Sequence, residues 1–347
     1  MHFAFTDEQE QLRRGARRFL EATAAPARVR AVAASEGGLD AECWRRIASE
    51  LGWPALVVPE AYGGAGLGAV ELVAILEEAG RVLLPTPFFA TCGLATSALL
   101  TSGEAAAELL GGIAEGALTA TLAWPGAVEG RGGKLYGRIA QVVDGASADR
   151  IIVASADGLY AVKGDAPGLT RRALGTQDRT RRLAELVFDG AQGTSLGGDV
   201  ERALELANVA LAAEQLGGAQ KCLEMAVDYA KTRVQFGRTI GSFQAIKHKC
   251  ADLFVAVESA RSAVYWAAAC AAQASPDLPL AAATARATAS EAFYKCAAEN
   301  IQIHGGIGFT WEHDAHLYFR RARAGLTLLG DVSAQRERVA TAILGAP

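Results

Sequence analysis

Residues 229–253, YAKTRVQFGRTIGSFQAIKHKCADL, decide how the rest of the chain is read. The stretch begins as a helix in which Tyr229 and Arg233 lie one turn apart and point the same way. At Phe236-Gly237 the helical pattern breaks, and Gly237 and Gly241 supply the freedom that a tight loop needs. A helix resumes near Ser242, the expected N-cap, with Phe243, Ile246, Cys250 and Leu253 at core spacing. A loop between two long helices that presents Arg233, Gln235, Phe236 and Gln244 has the character of a binding surface. Periodicity alone leaves open an ordinary helix hairpin with a surface arginine.

Working outward, the C-terminal side is helical: 199–234, 242–274, 277–304, then shorter segments at 312–323 and 332–344, the pattern of a four-helix bundle. A second marked stretch, QIHGGIGFTWE (302–312), ends the third long helix. Gly305, Gly306 and Gly308 let a backbone approach a ligand closely, although a glycine-terminated helix followed by a turn accounts for the same letters. On the N-terminal side, residues 118–196 change character. The short β-branched runs TATLAW, RIAQVV, RIIVAS, LYAVK and AELVF alternate with Gly, Asp and Pro turns, which predicts a small antiparallel β-domain. Before it come helices: Thr6 with Gln9 forms a capping box ahead of a stripe of Leu12, Ala16, Phe19 and Leu20, and 40–51 carries Trp44, Ile47 and Leu51. The predicted fold is therefore mainly α with a small β-domain, divided as 1–115, 116–197 and 198–347.

The 347 residues are 51% hydrophobic with a net charge of −4, enough for a large core and without the basic footprint of a nucleic-acid binder. No apolar run is long enough to span a bilayer, and the first residues turn acidic without a signal core. The six scattered cysteines form no C-x-x-C pair; buried reduced thiols and a cytoplasmic location are expected. The run GGAGLG (63–68) lacks the third glycine of a dinucleotide loop, because position 69 is Ala69, and its strand is cut short by Pro59, so a surface loop is the better reading. Glu312, His313 and His316 cluster, but the bundle helices lack the E-x-x-H pairs of di-iron proteins, and no metal is expected.

The order of helical region, β-domain and bundle, together with FTDEQEQLR, LGWPALVVPEAYGGAG, YAKTRVQFGRTIGSFQAIKHKCAD and QIHGGIGFTWE, resembles the acyl-CoA dehydrogenase family over essentially the full chain. The resemblance implies an FAD-dependent enzyme that desaturates acyl-CoA thioesters: a carboxylate takes the α-proton while the flavin accepts the β-hydride. It implies an FAD site at a subunit interface, hence a homo- or hetero-oligomer, dimer or tetramer. Arg233 and Phe236 match positions that reach the pyrophosphate and adenine side of a neighbour's FAD. Ile240, Phe243 and Gln244 match the loop behind it, while Gln302, Gly305 and Gly306 match the second contact; Gln235 stands within the same motif.

The departures from the family are as informative. The catalytic glutamate position falls on Leu329, its alternative location falls on Ala207, and the arginine usually beside the latter falls on Asn208. Asp331 is the nearest displaced candidate for a base, with the cap of the last helix as its favoured role; Glu214 is the other nearby carboxylate. The aromatic K-x-W-I-T strand motif is also missing from KLYGRIAQVVDGASADRIIVAS. Three expectations follow. The first is a subunit that completes the FAD site of a base-bearing partner, as heteromeric members of steroid and other bulky acyl-CoA breakdown do. The second is a self-sufficient homo-oligomeric dehydrogenase using Asp331 or Glu214, and the third is a non-enzymatic scaffold.

Overall fold

The computed structural model describes residues 5–345; the four residues before them, part of the stretch read for a leader, lie outside it. In the first third run α1 (Asp7–Thr23), α2 (Pro26–Ala34), α3 (Ala41–Ser49), α4 (Ala69–Arg81), α5 (Thr96–Leu99) and α6 (Ala107–Ala114), with a π-helical segment, Phe89–Ala95, leading into α5. Seven strands follow: β1 (Ala120–Ala123), β2 (Ala127–Arg131), β3 (Lys134–Val143), β4 (Arg150–Ser155), β5 (Gly158–Lys163), β6 (Leu169–Ala173) and β7 (Leu183–Gly197). The last part holds α7 (Val200–Thr232), the two-residue strands β8 (Val234–Gln235) and β9 (Arg238–Thr239), α8 (Gln244–Ala272), α9 (Leu278–His304), α10 (Ala315–Gly325) and α11 (Val332–Leu344). No helix among the described residues is long and apolar enough to cross a membrane.

The chain forms two compact units. The first comprises residues 30–72 and 85–210 and is built around the sheet. Its strand order is β1-β4-β5-β7-β3-β2, with β6 also on β7. The fifteen-residue β7 is the spine, pairing with β5, β3 and β6. Ile139, Ile151, Val153, Val162, Leu186 and Phe188 fill its core. Two features differ from the sequence reading. The pair β1–β4 is parallel, so the sheet is not wholly antiparallel; the chain passes through β2 and β3 before β4 returns beside β1. The strands β2 (AVEGR) and β6 (LTRRA) went unrecognised because both are largely exposed and lack an apolar face. The run GGAGLG joins a short 3-10 turn at Glu60–Tyr62 to α4, with no strand ahead of it.

The second unit contains α1, the segment Val73–Leu84 with most of α4, and the chain from Leu211 onward. The capping box starts α1: the Gln9 amide donates to Thr6 Oγ1 (3.3 Å) and the Thr6 amide to Gln9 Oε1 (3.0 Å). Ala16 and Leu20 are buried, while Leu12 and Phe19 are only half-buried. Leu51, expected in the first unit's core, lies past the end of α3 and is exposed. In the bundle α8 and α9 pack along each other, and α10 and α11 lie on α9. The buried face of α9 is mostly alanine (Ala281, Ala282, Ala285, Ala289, Ala292), which allows close helix approach.

The closest approach is the crossing of α4 with α7. A Cβ on Gly80 would stand 1.9 Å from the Glu214 carbonyl oxygen, and one on Gly217 would stand 1.8 Å from that of Glu77. The two backbones touch, and only glycine fits at either point. Around the contact, α4 distributes its charged side chains to the neighbouring helices. Arg17 of α1 donates through two nitrogens to Glu78 (2.9 and 2.7 Å), and Arg81 does the same to Glu224 of α7 (2.9 and 2.7 Å). Glu77, 1% exposed, accepts from Arg261 and from the Tyr265 hydroxyl (2.7 Å) of α8. The Tyr318 hydroxyl of α10 donates to the Arg81 carbonyl (2.6 Å). Buried carboxylates are tolerated only when so paired.

Gly217→Ala is expected to destabilise the protein by about 1–3 kcal/mol or more, because the added methyl meets backbone that cannot yield. Gly15→Ala, inside α1 with nothing within 4 Å of the new Cβ, is expected to be neutral or stabilising by up to about 1 kcal/mol. Urea denaturation of the two variants checks the contrast.

Candidate functional site

The two stretches singled out in the sequence meet at one end of the bundle. Ala226, Ala230 and Ile303 form a small apolar cluster against which Tyr229, Ile240, Ile246 and Cys250 pack. α7 therefore delivers the hairpin, and α9 the glycine turn, to the same place.

The hairpin is tight. Val234 pairs with Thr239 and Gln235 with Arg238, leaving Phe236 and Gly237 as the two central residues, with φ of +54° and +75°. Positive φ at both centres is the type I′ geometry, which favours Asn-Gly and suits phenylalanine poorly. The strain places the Phe236 ring outward, 90% exposed, edge-on to Phe243 at 6.1 Å. Arg238 lies over the Phe243 ring at 4.1 Å. Arg233 and Gln244 are exposed, and Arg233 has no ion-pair partner among the described residues. Gln235 Nε2 donates to the Val234 carbonyl (2.8 Å). Ile240, half-buried, roots the hairpin, its amide donating to the Arg233 carbonyl (2.8 Å).

The α8 start differs from expectation. Phe243, not Ser242, occupies the cap position; Ser242 Oγ is engaged in donating to the Thr239 carbonyl (2.7 Å), inside a 3-10 turn that delays the helix. Gly241 is required by closeness rather than by φ, since a Cβ there would stand 2.8 Å from the Ala230 carbonyl oxygen.

On the α9 side Gln302, Gly305 and Gly306 are exposed. A Cβ on either glycine would meet nothing within 4 Å, and Gly305 has φ +62°. This is open backbone that a ligand can approach. Phe309 (85%) and Trp311 (67%) are exposed beyond it, with Arg320 over the Trp311 ring at 4.4 Å. His304 links the two halves and carried no signal at the sequence level, since nothing in the letters ties position 304 to position 229. Its ring stacks on Tyr229 at 4.3 Å and meets His313, also at 4.3 Å. Burial pushes its pKa below the ordinary value. His313 Nδ1 accepts the Ala315 amide (3.2 Å), and His316 packs edge-on against Trp311 at 5.0 Å.

Each position read as a candidate base has its own local setting. Leu329 is buried at φ +55° in the turn before α11. That turn is pinned by Arg286, which is fully buried and donates to the carbonyls of Gly325 (2.7 Å) and Leu328 (2.8 Å). Asp331 is the exposed N-cap of α11 and accepts the Ser333 amide (2.8 Å); that hydrogen bond holds its carboxyl below its ordinary pKa. Glu214 is buried and accepts from Arg321 (3.0 Å). In the sheet-bearing unit Ala207 is fully buried, and Asn208 donates to the Leu204 carbonyl (2.8 Å). All six cysteines are free.

The bundle end of this helix-rich protein thus carries a guanidinium without an ion-pair partner among the described residues, an outward aromatic ring and open glycine backbone. Residues 198–344 match the model of the acyl-CoA dehydrogenase C-terminal domain, and residues 6–117 that of the N-terminal domain. Acyl-CoA dehydrogenase IpdE2 of Mycobacterium tuberculosis is 40% identical over 326 residues, 93% of each chain. Among solved structures, the Tcur3481–Tcur3483 steroid acyl-CoA dehydrogenase G363A variant superposes with a TM-score of 0.90 at 32% identity, over 97% of this chain and 98% of that one. The ChsE4–ChsE5 complex of Mycobacterium tuberculosis gives 0.91 at 27% identity over 100% of both chains. The chain belongs to the acyl-CoA dehydrogenase family, a family of flavoprotein oxidoreductases.

Replacing Phe236 by asparagine removes the backbone strain and is expected to raise stability by about 1 kcal/mol. If the outward ring serves a ligand, the same variant weakens ligand retention. Thermal unfolding of the chain should shift up, while flavin retention, read on the chain paired with a base-bearing homologue, should fall.

Proposed function

We propose that this chain is the subunit of a heteromeric acyl-CoA dehydrogenase that completes the FAD site of a base-bearing partner chain. The observation that carries the reading is an asymmetry. The exposed edge formed by Arg233, Gln235, Phe236, Gln244, Gln302, Gly305 and Gly306 is present, whereas both base positions, Leu329 and Ala207, carry aliphatic side chains. The edge fits the cofactor: open backbone at Gly305 and Gly306 and an unpaired guanidinium at Arg233 suit a dinucleotide pyrophosphate.

In this reading Arg233 neutralises the pyrophosphate and Phe236 offers its ring to the adenine. Gln244 and Gln302 supply amide hydrogen bonds, while Ile240 and Phe243 hold the hairpin behind them. Bound FAD supplies the electron acceptor for α,β-desaturation of an acyl-CoA thioester. The carboxylate that takes the α-proton comes from the partner, because a leucine or alanine side chain cannot accept one. The Tcur3481–Tcur3483 and ChsE4–ChsE5 structures, each of two named components, support a heteromer, and the steroid acyl-CoA dehydrogenase Tcur3481–Tcur3483 favours a steroid-derived acyl group as the substrate class.

The test uses the chain alone and co-purified with a base-bearing acyl-CoA dehydrogenase chain, each assayed for acyl-CoA-dependent reduction of a dye. Turnover is expected only from the pair. Arg233→Ala in this chain is expected to weaken the pair's flavin affinity roughly tenfold to a hundredfold, the worth of a charge-assisted hydrogen bond. Turnover by the chain alone, abolished in Asp331→Asn, would instead establish Asp331 as a displaced base in a self-sufficient enzyme. Absence of flavin and of turnover in every pairing would leave a scaffold.

A further inference from the structure

His304 is the point where the hairpin side and the glycine-turn side of the candidate half-site touch. It is the last residue of α9 and is buried. One ring face stacks on Tyr229, at 4.3 Å and 26°. Tyr229 lies one turn before Arg233 on α7, and its carbonyl accepts the Arg233 amide (2.9 Å). The His304 ring also meets His313, which caps the amide of Ala315 at the start of α10. Gly308 closes against the same side chain: a Cβ on Gly308 would stand 2.8 Å from His304 Cβ and 2.9 Å from the Ile301 carbonyl oxygen. The end of α7 and the segment that follows α9 thus meet on one imidazole.

We infer that His304 is the positioning residue of the half-site, setting Arg233 and the Gly305–Gly306 backbone relative to each other, and that it does so as the neutral ring. This rests on the reading of the two stretches as a cofactor edge. The protonation state follows from the geometry. Nδ1 lies 2.8 Å from the Asn300 carbonyl, which only accepts, so Nδ1 carries a proton in either state, and burial of the ring against Tyr229 disfavours a second proton on Nε2. The titratable groups that face the ring are Tyr229 from α7 and His313 from the segment before α10, with Glu312 and Asp314 flanking His313. Cys250 of α8 belongs to the adjoining apolar cluster, and on α9 itself Glu299 is engaged by Lys249 (2.5 Å). Among the described residues the ring's own contacts supply no carboxylate, so a second proton would put a charge into the stack between Tyr229 and His313.

The sign is fixed by the lowered pKa. As pH falls, an imidazole in an opened state takes its proton before the packed one does. The packed arrangement is therefore complete above the ordinary histidine range, about 6.5, and is lost progressively below it. Hydrogen exchange of the isolated chain from pH 8 to pH 5, corrected for intrinsic rates, reports on residues 229–239 and 305–314 without any cofactor. In the wild type, exchange in both stretches is expected to rise together below about pH 6.5, by up to about tenfold per pH unit. His304→Phe keeps a stacking ring without a titratable proton and is expected to stay protected across the range. His304→Ala is expected to exchange faster in both stretches at every pH. FAD affinity of the paired complex should follow the same order. Unchanged protection in His304→Ala, or wild-type pH dependence in His304→Phe, would overturn the inference. A pair that never binds flavin, with the exchange pattern intact, would overturn the proposed function alone.

Discussion

The bundle unit depends on the contact of two backbones at Gly80 and Gly217. With no side chain at either point, α4 presses against α7 closely enough that each glycine Cα faces a carbonyl of the other helix. Glu77, Glu78 and Arg81 then sit where Arg261 and Tyr265 of α8, Arg17 of α1 and Glu224 of α7 can reach them. Moving the helices apart by the width of a methyl group would break charge pairs as well as packing. Buried carboxylates left without partners are among the most expensive defects a core can hold. α7 runs from this crossing to the hairpin that forms the candidate half-site, so its far end inherits its position from Gly217.

At that far end stability yields to exposure. Phe236 occupies a backbone conformation that glycine or asparagine would fill at lower cost, and its ring has little to pack against. Phe309 and Trp311 are likewise set outward. Strained backbone, exposed rings and an unpaired Arg233 at one end of a well-packed bundle are what a surface that is completed by something else should show. The turn at Leu329 has the opposite character. It is buried, held by the fully buried Arg286, and presents no proton acceptor. The two places where chemistry was sought therefore diverge: one is open and exposed, and the other is buried and carries an aliphatic side chain.

Much of this was legible in the letters. The long helices, the position of the sheet and the hairpin were readable because 3.6-residue periodicity, β-branched alternation and paired glycines are local signals. The family was readable because R-x-Q-F-G and Q-x-x-G-G are specific combinations, and the structure brings those two stretches to one place. What stayed hidden was non-local. Nothing marks Gly80 and Gly217 as facing pair members, because Gly80 reads as the end of its helix and Gly217 as half of a Gly217-Gly218 pair. Arg286 reads as a surface residue until the turn that it holds is seen. The strands β2 and β6 lack an apolar stripe, and the parallel β1–β4 pair requires knowing which strands are neighbours. Ser242 has the right residue type for a cap, yet a 3-10 turn carries it past that role.

The most direct measurement is the flavin content per chain of the protein purified alone, read from its visible absorption. A half-site that serves a partner leaves the isolated chain colourless, with the flavin bands appearing once a base-bearing partner chain and FAD are added. One tightly bound flavin per chain in the isolated protein would contradict it.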